Sequence, residues 1–350
     1  MSTALTPEVA RRELTREEVA AAINALFQQS VDDEAKAVFL RAWAQRGETA
    51  SELAASAETL LPRAVDPGVR GSWNGQPLLD CCGTGGGGLN LLNISTGIVF
   101  ILAAMGIPVV KHGNRGITKK SGSADVLEAL GIRIDLQPDQ VKACLEEVGA
   151  AFLYAPLYHT TFAAIAPVRQ KLAAEGQRTI FNLLGPLLNP ARPDARLVGV
   201  FKEEHLDLYQ GALEKLGCPK FTVACGEDEL SQKKIGEVSA KGLTRFGSSL
   251  RRRNGEPYFQ IHAHLDRSKE GIASLLVNSA EESSQRLLSL LAKPDKSFAY
   301  STLLINAGAA AWTHGTAPKL TTGYNLAQEA LKSGRALAVL RKWQDFSAKL

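Results

Sequence analysis

Apolar residues recur at Val19, Ile23, Leu26 and Phe27, an i, i+4, i+7, i+8 stripe that predicts an amphipathic helix. Thr15-Arg16-Glu17-Glu18 precedes the stripe and reads as a capping box, in which the Thr15 hydroxyl and the Glu18 carboxylate serve each other's backbone amides. Asp32 to Trp43 and Thr49 to Leu61 carry further helical patterning, split by Arg46-Gly47. This first segment predicts a small helical bundle, and Pro67 to Pro77 reads as a linker. At Pro77 the period changes. Short apolar runs at 77–80, 107–110, 151–154, 197–200 and 221–224 alternate with helix-length segments. That alternation predicts an α/β domain with a largely parallel central sheet. Arg251 to Pro257 followed by Tyr258-Phe259-Gln260-Ile261 predicts a hairpin with Asn254-Gly255 in its turn.

Composition bounds the reading. At 350 residues, 45% hydrophobic and 22% charged, the chain matches a globular protein of about two domains with a large core. A formal net charge of +4 is too mild to require a nucleic acid or a membrane as partner. The five cysteines form no Cys-x-x-Cys pair, which argues for a reducing, cytoplasmic location rather than a disulfide framework or zinc site. Met1 to Arg12 carries Glu8 and no apolar run, unlike a secretory signal. Leu89 to Val110 is uncharged and long, but Asn90, Asn93, Ser95, Thr96 and Pro108 mark it as buried chain rather than a membrane span.

The candidate chemistry centres on Gly83-Thr84-Gly85-Gly86-Gly87-Gly88, which follows a predicted strand. Such a run brings backbone amides close to an anion. It fits GxGxxG formally, but the next strand ends in Lys111-His112 where a dinucleotide site needs an acid. It is no P-loop either, because Leu89-Asn90 stands where Lys-Ser/Thr is required. Asn93-Ile94-Ser95-Thr96 then places an amide and two hydroxyls at a helix start, a favourable place for a phosphate and for ordinary capping alike. Lys111-His112-Gly113-Asn114-Arg115-Gly116 and the helix start Ser121-Gly122-Ser123-Ala124-Asp125 complete three loops suited to a multiply phosphorylated ligand.

Together with Ala166-Pro167-Val168-Arg169, Thr179 to Pro190, Ala224 to Ser231 and Asn306-Ala307-Gly308-Ala309-Ala310, these loops resemble the anthranilate phosphoribosyltransferases over nearly the whole chain. The resemblance implies transfer of phosphoribosyl from 5-phosphoribosyl-1-diphosphate (PRPP) to the amine of anthranilate, with Mg²⁺ assistance. It implies that Gly83, Gly85, Gly86, Asn93, Ser95 and Thr96 hold the phosphates, with Lys111 and Ser123 adding charge and hydrogen bonds. Asp228, Glu229 and Ser95 are the implied metal ligands. Asn114 and Arg169 would receive the aromatic acid, with His112, Tyr158 and His159 along its approach. The implied organisation is a helical domain, residues 1–76 joined by helices from about 158–190, and an α/β domain, residues 77–157 and 191–350. A homodimer through the N-terminal helices is also implied.

Four departures qualify the resemblance. Gly87 stands where the family carries Asp, and Leu91-Leu92 replace Thr-Phe, removing a hydroxyl within reach of the phosphates. Gly116 and Lys119 replace small hydroxyl residues, and Cys225-Gly226-Glu227 shortens the approach to Asp228. Three alternatives stay open on sequence grounds. One is a relative acting on another aromatic amine, and another is a phosphorylase-like enzyme, which Arg169 does not fit. The third is a non-catalytic paralogue binding nucleic acid through Lys111, Lys119, Lys120, Lys233, Lys234 and Arg251-Arg252-Arg253, against which the mild charge argues.

Overall fold

The computed structural model describes residues 5–84, 88–116, 121–250, 258–265, 270–293 and 295–350. Helices α1 (Pro7–Ala10), α2 (Arg16–Leu26), α3 (Asp33–Arg46) and α4 (Ala50–Leu60) form the N-terminal bundle. Reciprocal capping boxes start α2 and α4, Thr15 with Glu18 and Thr49 with Glu52. The expected stripe of α2 buries Val19, Ile23 and Leu26, while Phe27 stands just past its end. Glu52 is fully buried and also accepts from Leu14 N at 2.8 Å and from Arg46 Nη2 at 2.6 and 2.7 Å, so one carboxylate ties α4 to the end of α3. Such a pair costs most when only one partner is removed.

Where a linker is expected, the chain makes a small hairpin of β1 (Ser72–Trp73) and β2 (Gln76–Pro77). Its turn residues Asn74 and Gly75 have φ of 49° and 76°, the left-handed pair that a type I′ turn demands. Gly71 accepts from Leu78 N at 2.8 Å and Asp194 N at 3.0 Å, and donates to Ala191 O at 2.9 Å, which fastens the connection to the sheet.

The larger part runs β3 (Leu79–Gly83), α5 (Ile94–Ala104), β4 (Val109–Gly113), α6 (Ser123–Ala129), α7 (Pro138–Val148), β5 (Ala150–Tyr154), α8 (Ala155–Tyr158), α9 (Ala166–Ala174), β6 (Ala195–Gly199) and α10 (Glu204–Lys215). It continues through β7 (Lys220–Glu227), β8 (Lys234–Ile235), β9 (Lys241–Ser248), β10 (Tyr258–His264), α11 (Ala280–Ala292), α12 (Phe298–His314), α13 (Leu320–Lys332) and α14 (Arg335–Ala348). One eight-stranded sheet has the order β10-β9-β7-β6-β3-β4-β5, with β8 beside β7. The five expected strands are its parallel part, β7-β6-β3-β4-β5, and β8, β9 and β10 add antiparallel pairing at one edge. The expected hairpin is the β9–β10 pair; its turn, with Asn254-Gly255, lies outside the described residues.

Strand periodicity divides the core. Cys81, Leu197 and Ala224 join the apolar cluster formed with α5, α12 and α14, while Val198, Val223 and Cys225 join the cluster that holds α1–α4, α9 and α10. Both faces of the sheet are therefore covered, and the α2–α4 helices share their core with α10 and with Ile165 to Leu188. All five cysteines are free. Among the described residues no helix is long and apolar enough to cross a membrane.

Candidate active site at the carboxyl ends of the strands

Parallel β3 and β4 end side by side, and α5 begins beyond β3, so three of the expected loops meet at one sheet edge. Lys111 of β4 is 2% exposed. Its Nζ donates to Cys81 O at 2.5 Å and lies 3.3 Å from Ser95 Oγ in the first turn of α5. A buried ammonium beneath a helix amino terminus, next to a hydroxyl, is an anion-binding arrangement. Asp80 lies deeper and accepts from Asn189 Nδ2 at 2.9 Å; burial raises its carboxyl, and the Lys111 charge opposes that.

Asn93 caps α5 without using its side chain on the helix. Its Oδ1 accepts instead from Ser121 Oγ at 2.9 Å and Ser283 Oγ at 2.8 Å, which aims the amide and leaves Nδ2 without a partner among the described residues. Thr96 is placed otherwise than expected: it is fully buried, and its hydroxyl has no partner among the described residues. Gly83 is exposed at the end of β3, while Gly85, Gly86 and the divergent Gly87 lie outside the described residues. Asn114 and Ser123 meet where Ser123 Oγ donates to Asn114 O at 3.4 Å. Neighbouring Arg115 is committed to Asp125 and Glu128 and stacks on Tyr154, so its charge is already paired.

A second group forms beside the first. His112 of β4 and His159 are in edge-to-face contact with ring centroids 5.2 Å apart, and His159 contacts Phe162 at 5.7 Å. Arg169 of α9 lies over the Phe162 and Phe181 rings at 5.7 and 5.5 Å. Phe27, from just past α2, packs on both of these rings. Arg169 is half-buried, burial lowers its pKa, and no carboxylate pairs with it among the described residues. His159 Nε2 donates to Leu188 O at 2.8 Å, which fixes its tautomer. His112 is buried, its pKa pulled down to about 3 by burial and by His159, and its Nε2 has no partner among the described residues. Tyr158 is buried and donates to Leu136 O at 2.7 Å, away from this group.

Asp228 and Glu229 follow β7 directly, in the turn to β8. Asp228 is 1% exposed and braces the turn, accepting from Ser231 N at 2.9 Å, Ser231 Oγ at 2.6 Å and Ile272 N at 3.2 Å. Glu229 is exposed, with His264 Nδ1 at 3.8 Å. The pair offers hard carboxylate oxygens and no soft ligand, which fits Mg²⁺, an ion that keeps much of its water. Ser95, expected as a third ligand, has Lys111 as its side-chain neighbour rather than either acid. Among the described residues no group of three or more His, Cys, Asp or Glu side chains is arranged around an ion.

One departure takes on a physical meaning. Leu91 and Leu92 are buried in the α5–α12 core, where Leu91 bridges Leu276 and Leu92 N donates to Leu275 O at 2.7 Å. In this chain position 91 is a packing position, filled by an apolar side chain where the resemblance has a hydroxyl. Of the basic residues considered for nucleic acid, Lys234 is held between Glu203 and Glu227 and Lys111 is buried. Lys119, Lys120 and Arg251 to Arg253 lie outside the described residues.

Residues 75–337 match the family described as glycosyl transferase family, a/b domain, and residues 4–64 match its helical bundle domain. An anthranilate phosphoribosyltransferase of Desulfatibacillum aliphaticivorans is 36% identical over 97% of this chain and 96% of that protein. The chain belongs to the anthranilate phosphoribosyltransferase family. The family enzyme of Burkholderia mallei is also 36% identical, covering 95% of this chain and 93% of its own. The crystal structure of the Thermus thermophilus family member superposes with a TM-score of 0.87 at 34% identity, covering 99% of this chain and all of that one. The Saccharomyces cerevisiae member, solved with PRPP and Mg, shares the fold at a TM-score of 0.79 and 23% identity, covering 99% and 94% of the two chains.

Sequence reasoning missed Asp80, Asn189, Ser283 and Asn306 as supports of the site. Asp80 is the acid inside an apolar strand, and Asn189 and Asn306 lie in segments the resemblance already included.

Proposed function

We propose that this protein transfers the phosphoribosyl group of PRPP to the amine of anthranilate. The bond from the anomeric carbon to diphosphate breaks, a carbon–nitrogen bond forms, pyrophosphate leaves, and the amine gives up a proton. The observation that carries this reading is the pairing of two sites at one sheet edge. Lys111 and Ser95 form an anion seat at the start of α5, and the unpaired guanidinium of Arg169 lies on an aromatic wall beside it. Family membership supports the same reading.

In this mechanism Gly83, Gly85, Gly86, Asn93, Ser95, Lys111 and Ser123 bind the diphosphate and phosphate. Their preorganised donors stabilise charge that grows on the leaving group. Thr96 supports them from within α5. Arg169 and Asn114 bind the carboxylate and orient the ring, and His112 and His159 form an uncharged wall on the approach. The neutral state of His112 keeps a second cation away from the developing positive charge on the ribose. Glu229 and Asp228 hold Mg²⁺, which when bound neutralises diphosphate charge. The helical residues 1–76 with about 158–190 form one domain and the α/β residues 77–157 and 191–350 the other; a cytoplasmic homodimer completes the proposal.

Calorimetric titration with PRPP, with and without Mg²⁺, tests the seat. Binding that strengthens with Mg²⁺ is expected, and no binding in either condition overturns the reading.

A further inference from the structure

The segment after β8, Gly236-Glu237-Val238, crosses the carboxyl ends of the parallel strands as a strap. Its approach to the sheet is close: a Cβ on Gly199, at the end of β6, would lie 1.8 Å from Gly236 O. The same carbonyl lies 3.9 Å from the Cβ position of Gly83, the first glycine of the phosphate loop. Between strap and strands is a cavity of about 10 Å³, room for about one water, lined in part by Cys81, Ser95, Gly199, Glu237 and Asn306. The strap is thus one wall of the proposed PRPP seat.

Asn306, in the middle of α12, holds the strap. It is 1% exposed; its Oδ1 accepts from Val238 N at 2.8 Å, and its Nδ2 donates to Val238 O at 2.9 Å and to Thr302 O at 2.8 Å. One side-chain amide therefore satisfies both backbone groups of a single strap residue, as a strand neighbour would. The polar capacity of Asn306 is directed at the strap and its own helix, inside a core otherwise made of Leu303, Leu304, Ala307 and Ala310. The turn carrying Asp228 and Glu229 is joined to the strap through β8. The turn is braced as well by the bonds from Ile272 N to Asp228 at 3.2 Å and from Glu229 N to Lys241 O at 3.1 Å.

We infer that Asn306 is a positioning residue for PRPP: it acts through Val238 to set the strap against Gly83 and Gly199 at the strand ends and to hold one arm of the Asp228-Glu229 turn. This rests on the proposed transfer reaction. The side-chain bonds of Asn306 run to Val238 and Thr302, so its loss would loosen the strap on the diphosphate side of the seat and leave the Arg169 side intact.

The test compares Asn306→Ala with Thr313→Val in the full-length protein. Thr313, on the same helix, donates to Ala309 O at 2.8 Å and lies 2.7 Å from the Thr222 hydroxyl, so it controls for a lost buried bond away from the strap. Asn306→Ala is expected to raise the KM for PRPP tenfold or more, with the KM for anthranilate changed by less than twofold. Thr313→Val is expected to move neither. If Asn306→Ala does not fold, Gly236→Ala attacks the strap from its other side, since the added methyl would lie 2.6 Å from the Phe201 ring, and the same split is expected. A PRPP KM in the strap variant that shifts no more than in Thr313→Val, or a rise in both KM values together, overturns the inference. A wild-type protein that binds no PRPP instead removes the underlying reading.

Discussion

The ammonium of Lys111 stands 3.3 Å from the hydroxyl of Ser95, joining β4 to the first turn of α5 across the end of β3. That contact brings two loops together as the proposed anion seat.

Replacing Lys111 by Met removes its charge and leaves Cys81 O without its donor. Hydrogen bonds to charged groups contribute about 1.5–3 kcal/mol, so PRPP affinity should fall roughly 10- to 150-fold. Calorimetry on the variant, with its melting temperature recorded alongside, measures this; unchanged affinity contradicts the seat.

Arg169→Lys keeps a positive charge but loses the planar fork that stacks on Phe162 and Phe181. The KM for anthranilate should rise about 10-fold in Arg169→Lys and more in Arg169→Ala, while the KM for PRPP stays near wild type. Steady-state kinetics with each substrate varied in turn separates the two effects.

Acid sensitivity follows from His112. Its folded pKa of about 3 lies below the unfolded value of about 6.5. Between those values the unfolded chain binds a proton that the folded chain does not. The stabilisation is therefore fully present above about pH 6.5 and is lost as pH falls toward 3, by up to about 1.4 kcal/mol per pH unit. His159, His205 and His314 shift in the same direction, again mainly through burial. Asp80, raised by burial, has the opposite sign and is common to wild type and variant. Urea midpoints at about pH 7 and pH 5 should fall with acid in the wild type and fall less in His112→Gln.

The two acids of the β7–β8 turn should separate in their effects. Glu229→Gln should weaken Mg²⁺-dependent PRPP binding about tenfold with little change in melting temperature, because Glu229 is exposed. Asp228→Asn should also lower the melting temperature, since its carboxylate accepts from Ser231 and Ile272. Thermal melts and Mg²⁺ titrations of both variants check the distinction.

Much of this was legible in the chain. The Thr15–Glu18 box, the five parallel strands and the meeting of Lys111 with the Ser95 loop follow from local pattern and from the rule that ligands sit at the carboxyl ends of parallel strands. Asn74-Gly75 carried the signal of a hairpin, but strands of two residues are too short for an alternating pattern to register. The burial of Thr96 and Leu91 depends on helix rotation and on the distant Leu276. The clasp of Asn306 on Val238 spans 68 positions of sequence, a separation that only tertiary structure discloses.

The most direct test is turnover. Purified protein mixed with PRPP, Mg²⁺ and anthranilate should release pyrophosphate and form N-(5-phosphoribosyl)anthranilate in equal amounts, dependent on all three. No product with anthranilate, alongside turnover with a different aromatic amine, would contradict the account.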